Sequence, residues 1–305
     1  MHNYPLFMNL MSSVIYMPLS FAYIIPVQLF TDTITKEQTD IPKYKFAVMG
    51  FLDSLAGIMG VFAVNYITNS SIIVLVQQSA IPISMVISSI TLNARYTNNQ
   101  YVGAGVVLLG IAAVLMPSFF STAVPVPGEE PQLPWIALLI FACIPMCLSS
   151  VYKEKALGEV DIDVIYLNGW VAIFQTIAAI PLCFPSAYVT GLSMDQIWPN
   201  LYEGFLCWFG VNSISEPTGS LVVDDCAMSP FYVNVYIFFN VVFNVLIIVI
   251  LKHGSANIMW MASTVIVPLS NVAFSLQFMP NHTTLHASDW IGLVVIMTGL
   301  LIYRF

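Results

Sequence analysis

The chain has 305 residues, 58% of them hydrophobic and only 8% charged, against about 45–50% and about 25% in an ordinary soluble domain. That composition excludes a water-soluble globule. Eight Lys and Arg against sixteen Asp and Glu, a formal net charge of −8, also exclude nucleic-acid binding, because they leave no basic footprint.

In chain order, apolar runs bounded by polar breaks predict nine membrane-spanning helices, at about 5–30, 46–66, 72–92, 101–117, 134–152, 163–186, 230–251, 256–279 and 288–303. Strict period-2 alternation is absent, which argues against a β-barrel. The expected fold is an all-α polytopic membrane protein forming one membrane domain over 1–305. The first Lys or Arg is Lys36, so no cleavable signal peptide is read and the first span is expected to direct insertion itself.

The charges test this count. Lys36, Lys43, Lys45, Arg95, Lys153, Lys155, Lys252 and Arg304 all fall in odd-numbered connections or after the ninth span, an asymmetry of eight to none. By the positive-inside rule that side is cytosolic. Met1 and the loops at 67–71, 118–133, 187–229 and 280–287 are then lumenal or external. Glu129, Glu130, Asp195, Glu203, Glu216, Asp224, Asp225 and Asp289 fall on the lumenal side, where they would concentrate cations or simply solvate the loops.

An internal repeat accompanies the spans. Tyr101-Val102-Gly103 with Gly110 matches Trp290-Ile291-Gly292 with Gly299, and Ile81-Pro82-Ile83-Ser84 matches Val267-Pro268-Leu269-Ser270, at offsets of 189 and 186 residues. Spans three and four thus correspond to spans eight and nine, five spans away, so the two copies have opposite orientation. Inverted repeats of this kind mark transporters, with substrate expected near the midplane. The expected halves are 1–133, an incomplete first repeat, and 134–305, a second repeat carrying the lumenal loop 187–229. The pairing is four helices against five, and a five-plus-five protein would have one more helix before Met1.

Several segments carry a family resemblance. They are Phe46-Ala47-Val48-Met49-Gly50-Phe51-Leu52-Asp53-Ser54, Gln78-Ser79-Ala80-Ile81-Pro82-Ile83-Ser84, Cys143-Ile144-Pro145-Met146-Cys147-Leu148-Ser149-Ser150, and Asp161-Ile162-Asp163 through Leu167-Asn168 to Phe174-Gln175. Gly204-Phe205-Leu206-Cys207, Asp224-Asp225-Cys226, Phe238-Phe239-Asn240 and Tyr303-Arg304 continue the series. In order and spacing they resemble the chloroquine-resistance-transporter-like (CRT-like) branch of the drug/metabolite transporter superfamily. The resemblance implies a ten-helix fold of two inverted five-helix repeats in vacuolar, lysosome-like or plastid membranes. It also implies export of amino acids, peptides, thiols or cationic drugs, often coupled to protons. The family's first helix is missing from this sequence. Its lumenal loop often carries four cysteines in two bridges, where this loop has Cys207 and Cys226.

Candidate site residues follow from polarity at membrane depth. Asp53 is the one acid placed in the interior of a span, away from its ends, where a charge costs at least ~2.5–3.5 kcal/mol. It reads as a cavity-facing cation or proton site, or else as a structural acid. Gln77, Gln78, Asn168, Gln175, Asn240, Asn244 and Asn271 can hold a zwitterionic solute by donating and accepting hydrogen bonds, or can act as interhelical glue. The family match favours Gln78, Asn168 and Asn240 among them. Pro82, Pro145 and Pro268 interrupt the hydrogen-bond ladder and act as hinges or as fixed kinks. Gly103, Gly110, Gly292 and Gly299 permit close helix packing. Cys207 and Cys226 lie in an oxidising compartment if the charge rule holds, and form a disulfide or remain two thiols. Cys143, Cys147 and Cys183 read as packing residues, not metal ligands. Ile197, Leu201, Phe205 and Trp208, with Trp198, Tyr202 and Phe209, recur at helical spacing as an interfacial helix or a lid. Asn69-Ser70-Ser71 and Asn281-His282-Thr283 match the glycosylation pattern.

No HExxH, GxSxG or P-loop motif is present, so neither enzyme chemistry nor a cofactor is expected. The expected function is secondary active transport of small polar or cationic organic solutes from an acidic organelle lumen to the cytosol, with protons as the coupling ion. The expected partners are a small-molecule substrate, protons and the lipid bilayer, without nucleic acid. Nucleotide-sugar exchange is one alternative, which would want basic residues in the cavity. A non-transporting scaffold or truncated remnant is the other.

Overall fold

The computed structural model describes residues 3–31, 33–67, 70–120, 132–189, 194–215, 223–263, 273, 276 and 287–304. They form α1 (Pro5–Phe30), α2 (Lys36–Thr39), α3 (Lys43–Tyr66), α4 (Ser70–Val76), α5 (Ala80–Thr91), α6 (Asn98–Phe120), α7 (Gln132–Glu159), α8 (Val164–Val189), α9 (Ile197–Trp208), α10 (Ser229–His253), α11 (Ala256–Ser263) and α12 (Ala287–Arg304). No strand occurs among the described residues. The reason is solvation: without water in a bilayer core every N–H and C=O must be satisfied within its own segment, which a helix achieves. The protein is an all-α polytopic membrane protein. Six stretches within these helices are long and apolar enough to cross a bilayer, from Leu6–Phe30 to Ser229–His253. The expected spans at 101–117 and 288–303 fall inside α6 and α12, while that at 256–279 begins with α11 and then leaves the described residues.

Local chemistry explains the ends and the breaks. Pro5 opens α1, where a missing N–H costs nothing. A 3₁₀ turn at Gln77–Ser79 divides α4 from α5 inside the span expected at 72–92. Pro82 sits just beyond it. Its ring clashes with the carbonyl four residues back, that of Gln78, and its nitrogen cannot donate there, so the strain is taken up at this turn. Ser255 Oγ accepts the Ile258 N–H, and the Glu154 carboxylate accepts the Ala256 N–H at 2.7 Å, so a side chain from α7 caps α11.

The chain forms two compact units. Unit 1 comprises Met1–Val61 and Ala156–Lys252, and unit 2 comprises Phe62–Lys155 and His253–Phe305. Each unit draws on both stretches that the sequence pairs as repeats.

In unit 1, α1 and α8 run antiparallel. Gly169, near the start of α8, lies against Ser20 and Ile24 in the second half of α1, where a Cβ would stand 2.7 Å from Ile24 Cδ1. Gly50 of α3 sits so close to α8 that a Cβ would come within 2.6 Å of the Gln175 nitrogen. Helix α9 folds over the start of α1, with Ile197, Asn200, Gly204 and Cys207 buried. Gly204 takes the Phe7 side chain, and Tyr4, Phe7, Cys207 and Cys226 form one small core. The buried stripe is therefore 197/200/204/207 rather than the apolar stripe 197/201/205/208 read from the sequence. Trp198, Tyr202, Phe205 and Phe209 remain exposed on the other side.

In unit 2 the two copies of the glycine motif pack on each other. A Cβ on Gly103 would lie 2.6 Å from the Gly299 carbonyl oxygen, and one on Gly299 would lie 2.8 Å from the Gly103 carbonyl oxygen. Gly110 meets Ile296 and the Gly292 carbonyl, so α6 and α12 run antiparallel with backbones nearly touching. Small residues let helices approach to this distance, where many dispersion contacts replace a hydrophobic driving force that lipid cannot supply. Leu75, Val76, Val107 and Ile296 make the fully buried centre of this unit.

Candidate functional site

Four polar residues of unit 1 lie near the middle of their helices. Tyr16 is eleven residues into α1, Asp53 ten into α3, Gln175 eleven into α8 and Asn240 eleven into α10. At a rise of 1.5 Å each lies about 15–17 Å from its helix start, half of a hydrocarbon core of about 30 Å.

Asn240 and Asn244, one turn apart on α10, are held by a residue the sequence reading missed. Tyr16 Oη lies 2.7 Å from Asn240 Oδ1 and 2.8 Å from its carbonyl, to which it donates, and it accepts from Asn244 Nδ2 at 2.6 Å. Asn244 Nδ2 also donates to the Asn240 carbonyl at 2.9 Å. This leaves Asn240 Nδ2 as a donor and Asn244 Oδ1 as an acceptor without hydrogen-bond partners among the described residues. A donor beside an acceptor matches a zwitterion or an amide. Asn240 also lines an open, mostly apolar groove of about 420 Å³ on the face of α10, with Tyr236, Phe239 and Phe243.

Asp53 is half-buried on α3, three residues after Gly50 and four before Gly57. These positions share one helix face. Gly50 lies against Gln175 of α8, and a Cβ on Gly57 would meet Asn9 Oδ1 of α1 at 3.3 Å. Asp53 thus stands on the stripe of α3 where α1 and α8 approach. Asn168 and Gln175, two turns apart and half-buried, share a face of α8.

The remaining candidates lie elsewhere. Gln78 is in unit 2, buried in the 3₁₀ turn, with Nε2 donating to the Val74 carbonyl at 3.2 Å. Pro82 begins α5, Pro145 is buried inside an uninterrupted α7, and Pro268 lies outside the described residues. The two glycosylation patterns are also not fully within them. Cys143, Cys147 and Cys183 are buried and in no disulfide, and no group of three metal-ligating residues occurs among the described residues.

At one end of unit 1, Cys207 and Cys226 form a disulfide. Beside it Asp224 is 7% exposed and fully engaged. It accepts from Tyr4 Oη at 2.7 Å, Asn3 Nδ2 at 3.1 Å, and the backbone N–H groups of Ile214 at 3.0 Å and Ser213 at 3.2 Å. Burial works to raise its pKa, but the four donors, Tyr4 first, together outweigh that and hold it below the ordinary carboxylate value. At the opposite end, Lys43 Nζ sits 4.5 Å from the Trp170 ring centre, 5.3 Å from Tyr166 and 5.5 Å from Phe46. It donates to Tyr166 Oη at 2.8 Å. Lys45 pairs with Glu159 at 2.6 Å and Lys252 with Asp161 at 2.7 Å, so three cations gather at this end.

The CRT-like family, described as chloroquine-resistance transporter-like, matches residues 1–303. The chain belongs to this family. It is 31% identical to the chloroquine resistance transporter of Toxoplasma gondii, over 100% of this chain and 35% of that protein. It is 30% identical to Crt homolog 1 of Dictyostelium discoideum, over 99% of this chain and 68% of that one. Against Protein CLT1, chloroplastic, of Arabidopsis thaliana the identity is 25%, over 98% and 66%. The CRT-like chain therefore spans about a third of the first of these relatives and about two thirds of the other two. A solved crystal structure superposes with a TM-score of 0.54 at 12% identity, covering 98% of this chain and 86% of its own, which shows a shared fold. The family is named for a transporter, which is not a class of enzyme.

Proposed function

We propose that this CRT-like chain forms the membrane core of a secondary active transporter that exports small polar or cationic organic solutes, such as amino acids, peptides, thiols or amine drugs, from an acidic organelle lumen to the cytosol with protons. The observation that carries this reading is the Tyr16–Asn240–Asn244 knot near the middle of its helices, with an unused donor and an unused acceptor beside a groove. Asp53, also near the middle of its helix, is the proton or cation site in this reading, and Gln175 and Asn168 extend the polar surface. The sequence repeat, 1–133 against 134–305, supplies the two halves for alternating access, with Pro82, Pro145 and Pro268 as hinges. Vacuolar, lysosomal and plastid membranes all fit the topology; one relative's name is chloroplastic.

Nucleotide-sugar exchange fits less well. A phosphate wants an available cation, and in unit 1 Lys43, Lys45 and Lys252 are held by aromatic rings, Glu159 and Asp161.

The test is uptake by proteoliposomes carrying the full chain, with a pH gradient imposed. Asp53→Asn is expected to abolish the dependence of uptake on the gradient. Uptake unchanged at every pH would remove Asp53 from the coupling. An Asn240→Ala, Asn244→Ala double variant is expected to lose at least about tenfold in uptake, the scale of one or two buried hydrogen bonds.

A further inference from the structure

A cavity of unit 1, of about 520 Å³, opens at the disulfide end of α10. Its wall includes Asp225, Met228, Ser229, Tyr232 and Tyr236, with Met8 of α1 closing one side. Asp225 differs from its neighbour Asp224. It is exposed and makes no hydrogen bond or ion pair among the described residues, and it lines the cavity. Tyr232 and Tyr236 are 63% and 50% exposed, so two π faces are offered beside that carboxylate. Methionine sulfur and methylene groups supply a polarizable, adaptable floor. A carboxylate, two tyrosine rings and thioethers in one concavity make the chemistry that binds an organic ammonium ion: Coulomb attraction from one side, ring quadrupoles from others.

Tyr236 also lines the groove at Asn240. Positions 232, 236, 240 and 244 follow one another at one-turn intervals, so aromatic and amide groups form a continuous lane down one face of α10. Lane and mouth are all within unit 1.

We propose that Asp225, Tyr232 and Tyr236 form a capture site for organic ammonium ions at the lumenal mouth, from which the ion passes along α10 to the amide knot. This rests on the transport reading for its direction and deepens it by placing the entry site for the cationic members of that solute class. Binding at the mouth, however, is measurable without transport.

The probe is radiolabelled phenyltrimethylammonium, whose charge does not vary with pH, bound at equilibrium to the full chain in dodecyl maltoside micelles, which carry no ammonium group. Saturable binding is expected, displaced by unlabelled cation and not by the uncharged carbon analogue tert-butylbenzene. Asp225→Asn is expected to weaken it about five- to tenfold, and Tyr232→Leu about two- to fivefold, the scale of one cation–π contact. Tyr232→Phe, which keeps the ring, is expected to bind as the parent does. Each variant is checked for the intact Cys207–Cys226 bridge, which Asp225 does not support. Equal affinity in Asp225→Asn and parent overturns the proposal. So does Tyr232→Leu that loses stability but keeps affinity, since the tyrosine would then be only an interfacial anchor. The Asn240→Ala, Asn244→Ala variant separates the two readings: it is expected to keep mouth binding while losing uptake. Binding graded by Asp225 in a protein that shows no uptake at all would sustain the capture site and sink the transport reading.

Discussion

Two adjacent acids show what a single residue's surroundings decide. Asp224 and Asp225 are one dipeptide in the sequence, both legible only as charges of a polar loop. Four donors converge on the first, while the second stands at a cavity mouth. Asp224 fixes Ser213 and Ile214 to the start of α1, and its folded pKa lies below its unfolded one. Its contribution to stability is therefore present above the unfolded value and disappears as pH falls through the folded value, in stronger acid than an ordinary carboxylate requires. An acidic lumen at about pH 5 leaves this clasp shut, since the pH is above the ordinary aspartate value of about 3.9. Hydrogen-exchange protection of the Ser213 and Ile214 amides, corrected for intrinsic rates, is expected to stay level from neutral pH to about pH 5 and to collapse only below the aspartate range. Asp224→Ala should remove that protection and cost about 2–4 kcal/mol, because Tyr4 and Asn3 lose an ionised acceptor. Protection that fades already around pH 6 would show that Asp224 is not the group involved. The residue scale also sets what was legible at the site. Asp53 stood out as the one acid in the interior of a span, and Asn240 and Asn244 as amides four apart. Tyr16 was one of 14 tyrosines and carried no signal, because its role depends on which helix lies beside α10.

Helix pairs carry the next level. The glycine motifs at 103/110 and 292/299 were readable as packing sites, since a residue without a side chain in an apolar helix has little other use there. That the two copies would pack on each other was not readable, because the repeat gives correspondence and not contact. The pairing makes a sharp prediction. Gly103→Ala drives a methyl group into the Gly299 carbonyl and the Tyr303 backbone and should destabilise unit 2 by about 1–3 kcal/mol or more, whereas Gly105→Ala on the same helix meets nothing within 4 Å and should be neutral or slightly stabilising. Thermal unfolding in detergent compares the two, and equal midpoints would mean that α6 and α12 do not approach as described. Helix α9 teaches the converse lesson. Its apolar periodicity was correct, but the buried stripe lies at 197/200/204/207, because Gly204 admits Phe7 and Cys207 must reach Cys226. Hydrophobicity alone could not choose between two apolar faces of one helix.

For the molecule as a whole, sidedness is the property most open to a direct check. In unit 1 the disulfide lies by the start of α10 and Lys252 close to its end, and the helix of 25 residues is about 37 Å long at 1.5 Å per residue, enough to cross a bilayer. A cysteine introduced at exposed Lys36 and another at exposed Val211 should therefore react with a membrane-impermeant maleimide from opposite faces of sealed vesicles. Labelling of both from one face would overturn the topology. The sequence by itself determined the helical class and six of the membrane-crossing stretches, because these follow from how residue types partition between lipid and water, and it determined the family through the order and spacing of its motifs. Those preferences are summed locally along the chain. Only the tertiary structure decided that Tyr16 ties the two asparagines together, that Asp224 is clasped while Asp225 is open, and that Lys43 is ringed by Phe46, Tyr166 and Trp170. Each of these joins residues far apart in the chain, or sets neighbours apart, through helix rotation and pairing. Those are fixed by close packing and hydrogen-bond geometry, to which polarity along the chain is blind.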